Sequence, residues 1–222
     1  MKILSTNILA ASFILFAGFG LSATANAGTI TVGNDPTHQG GQLDGCGNCG
    51  YVVPTAFSAA GATVTSVSYW ATGLGDITPV LLSGHDNGDG TTTFTVTGVG
   101  TDYNPTGNGL NTFAFGLTSG SDVTGANTYF GFFDTSGPTV SYDYDGSGAG
   151  TFLVGTMPGL NASFTDPNTA QHGDSQDNLN NRLYSIQATA VTSPIPEPSS
   201  LILLGTGLVS LMGAGRRKFF KA

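Results

Sequence analysis

The sequence predicts an all-β fold, an antiparallel β-sandwich or jelly roll, for residues 28–193. Several segments alternate apolar and polar residues with a period of two, which is the pattern of half-buried strands. Turns rich in Gly, Asn and Asp, such as residues 85–90, separate these segments. The region also holds thirteen Asp and no Glu, and Asp favours turns whereas Glu favours helices. Strands at this spacing are typical of a sandwich or jelly roll.

Three segments show the alternation most clearly. The side chains predicted to face inward are Phe94 and Val96 in 92–97, Phe113, Phe115 and Leu117 in 112–117, and Val140, Tyr142 and Tyr144 in 139–144. Further candidate strands are 63–70, 78–82, 127–133, 151–154 and 183–191. The stretch 166–181 is the least strand-like and predicts a long loop with a short helix at 175–181.

The first 27 residues have the pattern of a cleavable signal peptide. Lys2 supplies a positive start, residues 8–21 form an apolar core, and Ala25-Asn26-Ala27 is a cleavage site of the A-x-A type. An uncleaved membrane anchor is the alternative, but the small residues after a short apolar core favour cleavage. We therefore expect an exported chain whose mature form begins at Gly28.

The last residues, 194–222, combine three elements in a fixed order. They are Pro196-Glu197-Pro198, the uncharged run 199–215, and the basic cluster Arg216, Arg217 and Lys218. A helix over those 17 uncharged residues would reach about 25 Å, slightly less than a hydrocarbon core of about 30 Å. The basic cluster is a stop-transfer signal that places the C-terminus on the cytoplasmic side. The segment thus predicts a marginal C-terminal transmembrane helix.

This order of elements resembles the PEP-CTERM sorting signal of Gram-negative bacteria over residues 194–218. The same region is sometimes labelled an ice-binding protein C-terminal domain, a label that does not imply ice binding by the exported part. The resemblance implies export, transient anchoring in the inner membrane and cleavage near the proline motif by an exosortase. It also implies that the exported part then associates with the cell surface or its exopolysaccharide. An ordinary single-span anchor is the alternative.

The predicted organisation is therefore a signal peptide at 1–27, a passenger at 28–193 and a sorting tail at 194–222. Arg182 is the one basic residue of the passenger, so its formal charge is −12. Such a charge repels nucleic acid and attracts divalent cations. It equally keeps an extracellular protein soluble through repulsion between copies.

Cys46 and Cys49 are the only cysteines, and export favours a disulfide between them. Closing so short a loop stabilises the fold by only about 2 kcal/mol on the chain-entropy model. Redox activity would need a helix starting at Cys46, which the surrounding glycines disfavour. A zinc site would need distant partners.

Asp143, Asp145 and Ser147 stand at positions 1, 3 and 5 of a possible calcium loop, followed by Gly148. The second half of that motif fails, because its twelfth position is Val154 rather than Glu. Two other oxygen-rich turns lie at 86–89 and 174–177. Each of the three turns is a candidate calcium site, and a plain hairpin turn is the alternative.

The sequence favours a non-enzymatic protein of the cell surface or exopolysaccharide layer. It contains neither a Gly-x-Ser-x-Gly elbow nor a His-Glu-x-x-His motif, and no pair of aspartates is marked out as catalytic. The alternatives are a calcium-dependent, lectin-like glycan-binding module and, less favoured, a secreted hydrolase. An aromatic platform for sugar rings would use Trp70, Tyr69, Tyr103, Tyr142 and Tyr144; the competing interpretation makes Trp70 a core anchor.

Overall fold

The structure is a computed structural model that describes residues 27–43, 49–144, 152–156, 159–166, 182–193 and 205. Within these ranges the chain forms fourteen β-strands in antiparallel sheets, so the predicted all-β class is confirmed. Residues Gly28–Ser193 make up one compact unit. The strands in chain order are β1 (Thr29–Gly33), β2 (Gln42–Leu43), β3 (Gly50–Ala56), β4 (Ala62–Ala71), β5 (Ile77–Asp86), β6 (Thr92–Gly100), β7 (Gly109–Ala114), β8 (Leu117–Gly120), β9 (Thr128–Asp134), β10 (Ser141–Tyr144), β11 (Phe152–Gly155), β12 (Ser163–Asp166), β13 (Arg182–Tyr184) and β14 (Ile186–Thr192).

The first sheet has the strand order β1-β14-β4-β7. From Ser66 to Ala71 in β4 the burial alternates: the side chains of Val67 and Tyr69 are fully buried, and those of Ser68 and Trp70 are half-buried. At its outer edge, β1 pairs with β14 from Thr29 opposite Val191 to Gly33 opposite Gln187. The backbones of Gly28 and Thr192 continue this pairing, with a Thr192 N–H to Gly28 carbonyl bond of 2.9 Å.

The large sheet has the order β11-β3-β9-β5-β6-β12, with β8 also paired to β6. Both of its faces are buried. In β3, Tyr51 and Val53 join one hydrophobic cluster, whereas Val52 between them belongs to another. The strands β11 and β12, at opposite ends of this order, also contact each other. The large sheet is therefore curled, with one cluster on its outside and one on its inside.

The main core lies between the first sheet and the outside of the large sheet, because residues of both occur in one cluster. Aromatic rings form its densest part. The ring of Tyr51 stacks on Phe132 at a centroid distance of 4.9 Å and meets Tyr184 at 4.7 Å. Tyr142 in turn contacts Tyr184 at 5.2 Å. Tyr142 and Tyr184 belong to the small sheet β13-β10-β2, so these rings tie the small sheet to the large sheet.

The second core fills the inside of the curled large sheet. Its fully buried members are Val52, Val80, Leu82, Phe94 and Val96. Half-buried residues from β9, β12 and the segment before β12 pack against it, including Tyr129, Leu160 and Phe164. Space inside the curl is limited, and glycine occupies positions 84 and 131 where a side chain would collide with these neighbours.

The predicted strands lie within or overlap observed ones, with two differences. Leu117 is 43% exposed rather than buried, because Gly116 adopts a left-handed φ of 52° and separates β7 from β8. The predicted strand 183–191 is interrupted at Ser185. The Ser185 N–H donates to the Ser141 carbonyl, and its own carbonyl accepts from the Trp70 N–H, so this residue joins the small sheet to the first sheet.

Five strands were not predicted: β1, β2, β3, β12 and β8, of which the prediction included only Leu117. The predicted loop and short helix at 166–181 lie outside the described residues, apart from Asp166, which ends β12.

Candidate functional site

One open cleft of about 380 Å³ contains a residue that the sequence singled out, Asp143. The loop after β1, strand β10 and the junction between β13 and β14 form its walls. Its lining residues are Asn34, Asp35, His38, Asp143, Leu183 and Ser185.

Both carboxylate oxygens of Asp143 are engaged. The Gly41 N–H donates to Oδ1 at 2.7 Å, and Oδ2 pairs with Nε2 of His38. The Gly41 bond first, and the His38 bond second, hold the pKa of Asp143 below its usual value. The side chains of His38 and Asp143 are 60% and 40% exposed, so their pairing adds little stability. Its main effect is to fix the loop around Gly41 against β10.

The rest of the cleft is held by local hydrogen bonds. Oδ1 of Asp35 accepts from the N–H of Thr37 at 2.9 Å and from its hydroxyl at 2.7 Å, an Asx turn that lowers the pKa of Asp35. The side-chain amide of Asn34 donates to the Tyr184 carbonyl at 3.0 Å. The carboxylates of this cleft therefore serve turn and loop geometry, and the cleft itself is an open depression with Asp35 and Asp143 in its lining.

Of the three residues predicted to bind calcium, the structure describes one, Asp143. Asp143 lies in the cleft as above, while Asp145 and Ser147 lie outside the described residues. Across the ranges that the structure describes, no three His, Cys, Asp or Glu side chains are placed to hold a metal ion together. Calcium binding by Asp143, Asp145 and Ser147 stays a prediction.

The turn at residues 85–90 is a hairpin connection between β5 and β6. This is the plain hairpin turn that was the alternative to a calcium site. Oδ1 of Asp86 accepts from the Gly88 N–H at 2.8 Å, and Oδ1 of Asp89 accepts from the Thr91 N–H at 2.9 Å. Gly88 and Gly90 have φ values of 76° and 89°. The aspartates here close Asx turns, and the glycines supply the left-handed backbone. The third turn, 174–177, lies outside the described residues.

Cys49 is buried directly before β3, and its carbonyl accepts from the Asp134 N–H at 3.0 Å. Cys46 lies outside the described residues. The disulfide between Cys46 and Cys49 therefore stays a prediction.

The predicted aromatic platform is wrong. Tyr69 and Tyr142 are buried in the main core, and Tyr103 packs against that core with its ring stacked on Phe113 at 4.1 Å. The side chain of Tyr144 lies outside the description. The core-anchor interpretation of Trp70 is wrong as well, since Trp70 belongs to neither core and its neighbours Tyr69 and Ala71 take the inward positions. Trp70 lies on the opposite, outer side of the first sheet.

The sequence did not indicate a buried polar group beneath that sheet. The hydroxyl oxygens of Tyr69 and Thr72 and one carboxylate oxygen of Asp76 are buried and, among the described residues, have no hydrogen-bond partner. Burial first, then the charges of Tyr103, Asp134 and Asp76, raise the pKa of Tyr69 far above its usual value. Its phenol is therefore neutral at any physiological pH.

The residues of the predicted sorting signal, Pro196, Glu197, Pro198, Arg216, Arg217 and Lys218, lie outside the described residues. Within the part of the chain that is described, no helix has the length and apolar character needed to cross a membrane.

The chain was compared with known proteins and protein families, and the match lies in the C-terminal tail. No curated protein and no solved structure matches the chain significantly. A family model does match, over the same residues that the sequence indicated, and its description is "PEP-CTERM protein-sorting motif". Residues 194–218 are thus a PEP-CTERM protein-sorting motif, which implies that the chain is an exported protein sorted by an exosortase.

Proposed function

We propose that this chain is a non-enzymatic protein of the cell surface or exopolysaccharide layer of a Gram-negative bacterium. The observation that carries the proposal is the sorting motif at residues 194–218. In this proposal a signal peptide at 1–27 directs export, and a helix in the tail anchors the chain in the inner membrane for a time. Cleavage near Pro196-Glu197-Pro198 then releases residues 28–193 as the mature protein.

The proposed passenger is a β-sandwich with a strongly acidic surface. The main core, shared by the first sheet and the large sheet, supports the sandwich. Five of the six basic residues lie at positions 2 and 216–221, so removal of both ends leaves one Arg against thirteen Asp. Mutual repulsion between copies then favours a dispersed, hydrated protein in the matrix, and nucleic acid is disfavoured as a partner.

The structural use of four exposed or half-exposed aspartates supports a non-enzymatic role. Asp35, Asp86 and Asp89 each accept the N–H of the residue two positions later, and Asp143 accepts the N–H of Gly41. Carboxylates occupied in this way organise turns and loops. Their exposure also keeps them in water, where the pKa tuning needed for general acid catalysis is weak.

The experiment is to express the full chain in a host that has an exosortase and to measure its intact mass and location. We expect a surface or matrix protein that begins at Gly28 and lacks residues 216–222. Substituting both Pro196 and Pro198 with Ala is expected to leave the tail attached and the protein in the membrane fraction. Lys221→Ala, beyond the matched residues, is the control and should be processed normally. A wild-type protein that keeps residues 216–222 would contradict the proposal.

A further inference from the structure

The outer face of the first sheet, the side away from the main core, is an uncharged surface on an acidic protein. Its four strands, β1, β14, β4 and β7, contain no Asp, Glu, Lys, Arg or His. All thirteen aspartates of residues 28–193 lie elsewhere. The outward positions of these strands are instead dominated by Thr and Ser, with a Gln and with Trp70 and Leu110 near one end.

The register places these groups in adjacent rows. Trp70 is paired with Leu110 across β4 and β7, and Leu110 is 51% exposed. In the next row on the same side, Ser68 stands between Thr112 and Gln187. The hydroxyls of Ser68 and Thr112 are 2.9 Å apart. Neighbouring strands are about 4.8 Å apart and successive rows on one face about 6.7 Å apart, so the apolar pair and the polar row are contiguous.

This combination matches the chemistry of a sugar ring. The C–H face of a pyranose is apolar and stacks on an indole, while its hydroxyls need partners that both donate and accept. Ser and Thr hydroxyls and the Gln amide provide both functions. Trp70 is half-buried on this face, and an aromatic side chain supplies contact area at little cost in conformational entropy. Because the face has no charge and the rest of the passenger is acidic, a neutral glycan is favoured over an acidic one.

We propose that the outer face binds a neutral polysaccharide. One sugar ring stacks on Trp70 beside Leu110, and Ser68, Thr112 and Gln187 hydrogen-bond its hydroxyls or those of the next ring. The inference rests on the proposed function, because an exopolysaccharide layer is where such a ligand would be met. Since no carboxylate lies in these strands, binding at this face requires no calcium.

The test uses the purified full-length chain and a panel of glycans in affinity electrophoresis and pull-down: cellulose, laminarin, mannan and dextran as neutral probes, and alginate as an acidic probe. Trp70 is the sole tryptophan, so its fluorescence reports directly on ring stacking. We expect retention by at least one neutral glycan, with a change in tryptophan emission on binding to its soluble form. EDTA should change neither result, and alginate should bind more weakly.

Trp70→Ala is expected to lower the affinity about tenfold or more, and Trp70→Phe to retain most of it because an aromatic face remains. Leu117→Ala is the matched control, an exposed apolar residue on β8 of the other sheet, and should bind like the wild type. Thermal unfolding checks that each variant is folded.

Three results would overturn the inference: no retention by any neutral glycan, equal retention by folded Trp70→Ala, or binding that EDTA abolishes. The last would assign binding to the oxygen-rich turns instead. Sorting and tail removal are measured independently, so a correctly sorted protein that binds no neutral glycan would refute this inference and leave the proposed function intact.

Discussion

Gly84→Ala is expected to destabilise the second core. Gly84 lies in β5 on the inside of the curled large sheet, below two aromatic rings that meet edge to face, Phe94 and Tyr129, with centroids 5.1 Å apart. A Cβ at this position would lie 2.4 Å from Cε2 of Tyr129 and 2.9 Å from its Cδ2. It would also lie 3.3 Å from Cε1 of Phe94. The Tyr129 ring must therefore move, and the Phe94 ring limits where it can go.

The size of the effect follows from two opposing contributions. Overpacking of a core costs about 1–3 kcal/mol, and Ala in a strand is favoured over Gly by about 0.5–1 kcal/mol. Because the nearest contact is far inside van der Waals distance, we expect a net loss of about 1–2 kcal/mol. For a domain of about this size, that loss lowers the melting temperature by about 2–8 °C.

The assay is urea unfolding of the full chain at equilibrium. Gly107→Ala is the matched control, because an added Cβ there meets nothing within 4 Å, and its stability should be unchanged or slightly higher. In a Tyr129→Leu background the ring is absent, so Gly84→Ala should cost less than half as much as in the wild type. Equal stability of Gly84→Ala and the wild type, or an unchanged cost in the Tyr129→Leu background, would refute this account.

Three further predictions concern polar groups. Tyr69→Phe removes a buried hydroxyl that has no partner among the described residues, so the free energy of unfolding should stay equal or rise by about 1 kcal/mol; a clear loss in urea unfolding would reveal a hidden partner such as a bound water. The folded pKa of Asp143 is lowered, so its contribution is present above the usual Asp pKa of about 3.9 and is lost as the pH falls through the folded value. Asp143→Asn should therefore be less stable at neutral pH and approach the wild type in acid, whereas a difference independent of pH in thermal melts would contradict this. Calcium binding by Asp143, Asp145 and Ser147 requires that millimolar calcium raise the melting temperature, and an unchanged midpoint would count against the site.

The sequence predicted β6, in which buried and less buried residues alternate, and missed β3, in which they do not. In β6 the alternation of Phe94 and Val96 with threonines marks the buried side directly. In β3, Tyr51, Val52 and Val53 are all buried, because successive residues enter different cores. Such a run has no period of two, and Pro54 within it argues against a strand. The structure accommodates Pro54 where the register between β3 and β9 shifts.

The sorting motif could be predicted because its order is local in the sequence, whereas the arrangement of side chains in space could not. Asp143 was marked by its neighbours Asp145 and Ser147, yet its described partners are Gly41 and His38, about a hundred positions away. The uncharged outer face likewise arises from four strands that are distant in sequence. The bulge that shifts the pairing of β14 with β4 changes which alternate residues of β4 face the core. Trp70 lies on the outer face as a result.

The pairing of β1 with β14 has a geometric consequence for processing. Gly28 and Thr192 are hydrogen-bonded neighbours, so the two proposed cleavage points leave the fold from the same corner of the first sheet. Both proposed cuts lie outside residues 28–192, so neither removes the backbone hydrogen bonds that join β1 to β14.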